Sequence, residues 1–338
     1  MGVYGFVCAG GGSIGVLLGG LLTSALSWHW IFLVNIPIGV LVYALCLRLL
    51  PAAKAQAAGG KLDVAGAVTV TASLMLAVYA VVNGNEAGWT SAQSLGLIGA
   101  AVLLMALFLL IEARVAAPLM PLGLFRLRNV ATANVVGVLW AAAMFAWFFV
   151  SALYMQLVLR YDAMQVGLAF LPANLIMAAF SLGLSAKLVM RFGIRGPLTT
   201  GLLLAALGLA LFARAPIDGS FVADVLPGML LLGLGAGIAF NPMLLAAMSD
   251  VEPSQSGLAS GVVNTAFMMG GALGLAVLAS LAAARTTALA AGGAAPVVAL
   301  NGGYQLTFLA GAGIAAVAGL LSGALVRSRN RDLPAHDF

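Results

Sequence analysis

The 15 basic and 10 acidic side chains of this 338-residue chain lie in the breaks between long apolar runs, or within about three residues of a run's end. Ten such runs can be read, at 3–24, 30–50, 64–83, 94–113, 130–157, 165–188, 196–214, 224–248, 257–284 and 304–326. A helix of about 20 apolar residues crosses a bilayer, and a charge at its centre costs about 2.5–3.5 kcal/mol. Hydrophobic residues make up 63% of the chain and charged residues 7%, against about 25% charged in soluble domains. Mean hydropathy is +1.12, more apolar surface than a soluble globule of this length can hide. The expected fold is therefore all-α and integral to the membrane, with ten transmembrane helices. The chain does not open on a basic region, a short apolar core and a small-residue cleavage site, so no removable signal peptide is read.

The charges also orient the spans. Arg48, Lys54, Lys61, Arg114, Arg126, Arg128, Lys187, Arg191, Arg195, Arg327, Arg329 and Arg331 fall on one side, and Arg160, Arg214 and Arg285 on the other. The positive-inside rule assigns the richer side, with both termini, to the cytoplasm. The acidic loop at 249–256 is a mild exception. Trp28, Trp30 and Trp89 fall at outer span ends, where indoles favour the interface. The net charge of +5 thus sets orientation, and no nucleic-acid partner is expected. Cys8 and Cys46 lie in apolar runs, His29 in a loop and His336 in the tail, so neither a disulfide framework nor a metal site is expected, and no cofactor.

Three sets of residues stand out within the spans. Residues 10–20 read GGGSIGVLLGG. At about 100° per residue, Cys8, Gly11, Gly12, Gly15 and Gly19 share one face, the small-residue stripe that lets helix backbones approach in lipid. That seam is either a fixed contact or a moving one that seals the protein on one side. A phosphate-loop reading fails for want of a strand and a Lys-Ser/Thr pair. Asn35, Asn134, Asn174, Asn241 and Asn264 occupy spans, where an amide either bonds a neighbouring helix or lines a polar path. In the span LWAAAMFAWFFVSALYMQLVL, Trp140, Met144, Trp147, Ser151 and Tyr154 fall within about 80° of arc, with Phe145 and Phe149 roughly opposite. The mixed aromatic and hydroxyl face either packs on a neighbour or lines an apolar cavity that attracts lipophilic cations.

The run GGGSIGVLLGG followed by SWHWIFLVNIPIG resembles the fifth-span antiporter motif, and its sequel, of the fourteen-span drug/proton antiporters of the major facilitator superfamily (the EmrB/QacA type). Gly11, Gly15, Gly19 and Gly20 match that motif, with Val16 where it has proline. Trp28, Trp30, Phe32, Asn35, Pro37 and Gly39 match the sequel, with His29 where it has arginine. Asp63 and Gly66, Gly193 and Arg195, and Gly257, Ser260, Gly261 and Asn264 resemble later landmarks of the family.

The resemblance implies that residues 1–50 are the last two helices of an N-terminal bundle and that 51–129 hold an extra central helix pair with cytoplasmic linkers. It makes 130–326 a C-terminal six-helix bundle and 327–338 a cytoplasmic tail. The family's first four helices, with the intramembrane acidic residue thought to couple protons, would precede Met1. None of the acidic residues here is mid-span; Glu86 and Asp162 sit in outer loops. The implied activity is secondary transport, the proton-coupled export of lipophilic small molecules through a bacterial plasma membrane. Its partners are the substrate, protons and the lipid bilayer. The first helix of each bundle commonly borders the central cavity in this superfamily, which would place Trp140, Met144, Trp147, Ser151 and Tyr154 there. The alternatives are a transport-incompetent fragment of such a transporter, expected not to export by itself, and a membrane-embedded enzyme. The enzyme is disfavoured because no His, Asp, Glu, Lys or Arg is mid-span to do acid–base or metal chemistry.

Overall fold

A computed structural model describes residues 11, 15, 18–49, 63–116, 118–249, 251–252 and 255–326. Most of the first expected span with Cys8 and Gly12, the linker with Lys54 and Lys61, and the tail with Arg327, Arg329, Arg331 and His336 lie outside the described residues. All regular structure among the described residues is helical, as the absence of water in a bilayer core demands of a chain that spans it. Eight helices there are long and apolar enough to cross a membrane. The expected 165–188 span is broken into shorter pieces, and the expected 3–24 span is only partly described.

The first part comprises α1 (18–25), α2 (His29–Leu33) and α3 (Asn35–Leu49). An antiparallel hairpin follows, α4 (Val64–Ala87) and α5 (Ala92–Glu112). Asp63 Oδ1 caps α4 by accepting from Gly66 N at 2.8 Å, and Ser91 caps α5 by accepting from Ser94 N. The hairpin turns at Gly88, whose φ of 84° is one that L side chains rarely adopt. Ser73 Oγ donates to Ala101 O at 2.8 Å and ties the two helices at mid-length. Beyond α5 the connector runs back along the hairpin's end, where buried Glu112 accepts from Met120 N at 3.2 Å. A 3-10 turn at Leu122–Arg126 then leads into the second bundle.

That bundle contains α6 (Arg128–Leu153, extended by a π turn to Val158), α7 (Ala163–Ala179), α8 (Ser185–Phe192), α9 (Arg195–Phe212), α10 (Leu226–Met248), α11 (Ser256–Ala291) and α12 (Pro296–Leu325). A π turn at Phe180–Leu184 joins α7 to α8, so both belong to one bent crossing. Asp162, read from sequence as a loop acid, is the N-cap of α7 in a reciprocal capping box with Gln165. Arg128 Nε, at the start of α6, donates to Leu325 O at the end of α12 at 3.1 Å. The bundle's two ends therefore lie on one face, as an even number of crossings requires.

Glycines set how close the helices come. A Cβ on Gly235 of α10 would lie 2.5 Å from Gly201 O of α9, and one on Gly201 2.7 Å from Gly235 O. The bundle's interior holds Trp140, Trp147, Tyr154, Phe212 and Phe308, all fully buried. The helices α11 and α12 outrun the expected spans. With 36 residues at 1.5 Å each, α11 is about 54 Å long, against an apolar layer of about 30 Å.

Candidate functional site

The α6 stripe turns inward. Trp140, Trp147, Ser151 and Tyr154 are 0–1% exposed inside the second bundle, and none of them borders the two chambers described below. Ser151 Oγ donates to Trp147 O four residues back, at 2.6 Å. Tyr154 Oη donates to Pro216 O at 2.7 Å. Trp147 packs edge-on against Phe170 of α7, ring centroids 5.9 Å apart, and the indole N–H groups of Trp140 and Trp147 have no acceptor. In this structure these four residues pack on their neighbours, one of the two roles that the face could take. Helical spacing identifies which residues share a face; it does not say which neighbour that face meets.

Met144, at the margin of the stripe, does reach a cavity, together with Phe145 from the face that looked plain. They border a chamber of about 790 Å³ enclosed by α6, α7 with its π turn, α10 and α11. Phe267 of α11 stands edge-on to both Phe145 and Phe240, at 6.2 and 6.3 Å between centroids. Met144, Met177, Met243, Met248 and Met268 add flexible thioethers, and the polar side chains of the lining are Ser181, Ser260 and Asn264. Such a wall is adaptable, because methionine fills irregular gaps and aromatics offer π faces.

The bent α7–α8 crossing gives the chamber its shape. Asn241 Nδ2 of α10 donates to Ser181 O at 3.3 Å, and Ser185 Oγ donates to Ile238 O at 3.2 Å. Two bonds thus stitch the π turn and the start of α8 to α10, where Pro242 follows Asn241. Three of the five intramembrane amides singled out from sequence separate accordingly. Asn264 lines the chamber, buried Asn241 holds its wall from behind, and exposed Asn35 bonds only Ile31 O within its own helical segment, at 2.9 Å. Sequence reasoning missed Met177, Phe240, Met243, Phe267 and Met268. The nearest signal was the stretch with Ser260, Gly261 and Asn264, whose helix carries two of them.

The glycine stripe finds less company. A Cβ on Gly11, Gly15 or Gly19 would meet nothing within 4 Å, whereas one on Gly20 would lie 2.7 Å from Ala163 O. Among the described residues, the expected seam is a contact at Gly20 alone. Gly19 and Gly20 also border a chamber of about 730 Å³ shared with Met144, Phe145 and Phe149. Among the described residues, no group of three or more His, Cys, Asp or Glu could hold a metal ion.

Residues 1–275 match the family described as the Major Facilitator Superfamily. The chain belongs to that superfamily. Its similarity to the puromycin resistance protein pur8 of Streptomyces alboniger is 35% identity over 334 residues, 97% of this chain and 66% of that protein. The cephamycin export protein CmcT of Amycolatopsis lactamdurans is 36% identical over 82% of this chain and 57% of its own length. The multidrug resistance protein Stp of Mycobacterium tuberculosis is 32% identical over 84% of this chain and 52% of its own. This Major Facilitator chain thus spans about half to two-thirds of the length of these curated relatives. The matches point to membrane transport, not catalysis.

Proposed function

We propose that these helices form the substrate-handling part of a secondary transporter that exports lipophilic small molecules, cations among them, in exchange for protons across a bacterial plasma membrane. The observation that carries this reading is the methionine- and phenylalanine-lined chamber with Asn264 on its wall. Pockets for such compounds are mostly apolar, with a few polar groups fixing orientation. The names of the relatives, which speak of antibiotic resistance and export, support the same substrate class. In this reading the chamber opens alternately to the two sides as one bundle rocks against the other. Its wall, stitched to the π turn by Asn241, moves as a unit.

The finer assignments belong to the same proposal. The chain is the later part of a fourteen-span antiporter, with 1–50 closing the N-terminal bundle, 51–129 the extra pair, 130–326 the C-terminal bundle and 327–338 the tail. Both termini are cytoplasmic. None of the chamber's polar side chains, Ser181, Ser260 and Asn264, carries a charge, so the proton is taken up elsewhere.

Binding of tetraphenylphosphonium to the purified chain in lipid nanodiscs tests the substrate site. Phe267→Ala should weaken binding by about 2- to 30-fold, the range of a cation over an aromatic face, while Trp140→Phe should leave it unchanged. Equal binding by wild type, Phe267→Ala and Phe240→Ala would refute the assignment. Binding should also be the same at pH 6 and pH 8; a strong pH dependence would put the proton at the chamber itself.

A further inference from the structure

The chambers of about 790 and 730 Å³ share two lining residues, Met144 and Phe145. Both residues stand near the middle of the 31-residue crossing Arg128–Val158. The 790 Å³ chamber reaches Met248 and Gly257, beside the α10–α11 connection. The 730 Å³ chamber reaches Gln156 and Ala163, beside the α6–α7 connection. Three crossings, the bent α7–α8, α9 and α10, lie between these connections, and an odd number puts the connections at opposite membrane faces. The chambers are therefore stacked in depth, with Met144 and Phe145 between them.

On α11, at about 100° per residue, Asn264, Met268, Gly271 and Leu275 fall within about 60° of arc. Asn264 and Met268 line the 790 Å³ chamber and Leu275 lines the other, so one face of the helix runs from chamber to chamber. Gly271, midway along that face, borders neither. A Cβ there would lie 2.8 Å from Cγ and Cδ2 of Phe145, so the phenyl ring rests in a notch that a glycine leaves open. Phe267, one turn away, meets the same ring edge-on at 6.2 Å. The ring thus covers the α11 face at the point where the two chambers would otherwise join. On its far side Phe148 and Phe170, stacked at 5.4 Å, offer the 730 Å³ chamber its own aromatic wall.

We infer that Phe145 limits the length of the substrate that the chain accepts. Its ring, seated on Gly271, interrupts the face that Asn264 and Leu275 share and confines a ligand to one chamber at a time. A molecule long enough to reach from Asn264 to Phe148 is refused while the ring stays in its notch. The length limit rests on the transport reading for its class of ligand; the partition is a property of α6 and α11 themselves.

Two measurements on the whole chain in lipid nanodiscs test this. In a Cys8→Ser, Cys46→Ser background, Asn264→Cys and Leu275→Cys place two thiols about 16 Å apart along one helix face. A bis-methanethiosulfonate of that span should bridge them readily in Phe145→Ala and lose most of that bridging when Phe145 is present. The second measurement compares tetraphenylphosphonium with two triphenylphosphonium heads joined by a decamethylene chain. In Phe145→Ala the affinity ratio should shift toward the double-headed cation by about 2- to 30-fold, the range of one further cation over an aromatic face. Phe145→Leu, which keeps bulk over Gly271, should keep the wild-type ratio. Ready bridging past the intact Phe145 ring would overturn the partition, whatever the chambers bind. An unchanged ratio in Phe145→Ala would overturn the length limit. If the wild type bound neither phosphonium while bridging still depended on Phe145, the transport reading and the length limit would fall and the partition would stand.

Discussion

In α3 every residue from Asn35 to Leu49 is exposed, whereas α6 keeps Trp140, Trp147 and Tyr154 wholly out of solvent. Both helices are apolar, and both would be read alike on hydropathy. The difference lies in what stands beside them. Helices α9 and α10 close on each other through Gly201 and Gly235, and α11 closes on α6 through Gly270, whose Cβ would lie 2.7 Å from the Val138 backbone. In residues 18–49 only Gly20 is buried. Lipid is as apolar as leucine, so exposing an apolar helix there costs little, and association depends on backbones that can come close. Apolarity puts both regions in the membrane; among the described residues, complementary packing makes only one of them a core.

The contrast can be broken most sharply at Trp147. Truncation to alanine should cost about 3–5 kcal/mol of stability, the range for a buried large aromatic, read as a fall in thermal midpoint in detergent. Phe149→Ala, on the same helix but 48% exposed, should shift the midpoint far less. If Trp147→Ala leaves stability intact and changes tetraphenylphosphonium binding, α6 is turned the other way and its stripe lines the chamber after all.

Next in size is the glycine seam. Gly235→Ala drives a methyl group against the Gly201 carbonyl and should cost about 1–3 kcal/mol, as overpacking does. A variant as stable as the wild type would show that α9 and α10 pack more loosely than their geometry indicates. Asn241→Ala, which removes the bond to Ser181 O, should cost about 0.6 kcal/mol, the average for interhelical side-chain bonds in a membrane. Asn35→Ala should cost less, because its bond is local; the ordering of the two by chemical unfolding is the check. Smallest of all, Gly15→Leu should stay within about 0.5 kcal/mol of wild type, as substitutions without a packing partner do. A clear destabilisation there would reveal a neighbour of Gly15 that the described residues do not include.

Much of the fold can be read without coordinates. The turns at Gly88 and Gly193, the cap at Asp63 and the crossings α9 and α10 fall where charge and turn residues interrupt the apolar runs. Other features are not legible in that way. The expected end of the α11 span at 284 follows from the charge of Arg285, yet the helix runs on to Ala291, where α12 packs against it. Gly303 of α12 sits against Ala282 O, with a Cβ there only 2.6 Å away, and Gly302 sits against the Leu289 side chain. The bend between α7 and α8 is likewise hidden. Pro172 hints at a kink, but the π turn lies eight residues later, where the bonds from Asn241 and Ser185 anchor it. For the candidate site, the motif containing Asn264 was legible and the orientation of the α6 aromatics was not.

What the amino-acid sequence determined by itself is the solvent and the order of parts. Charge placed only at the ends of apolar runs admits a membrane and excludes a soluble globule, and the string of glycine, tryptophan and asparagine motifs carries the superfamily. Which face of a helix meets a cavity was decided only by the tertiary structure. In water, polar and apolar faces differ in free energy, so periodicity announces the inside. In lipid both faces of α6 are apolar, that difference vanishes, and the choice passes to shape. Trp147 turns toward Phe170, and Phe145 is left to the chamber beside Phe267.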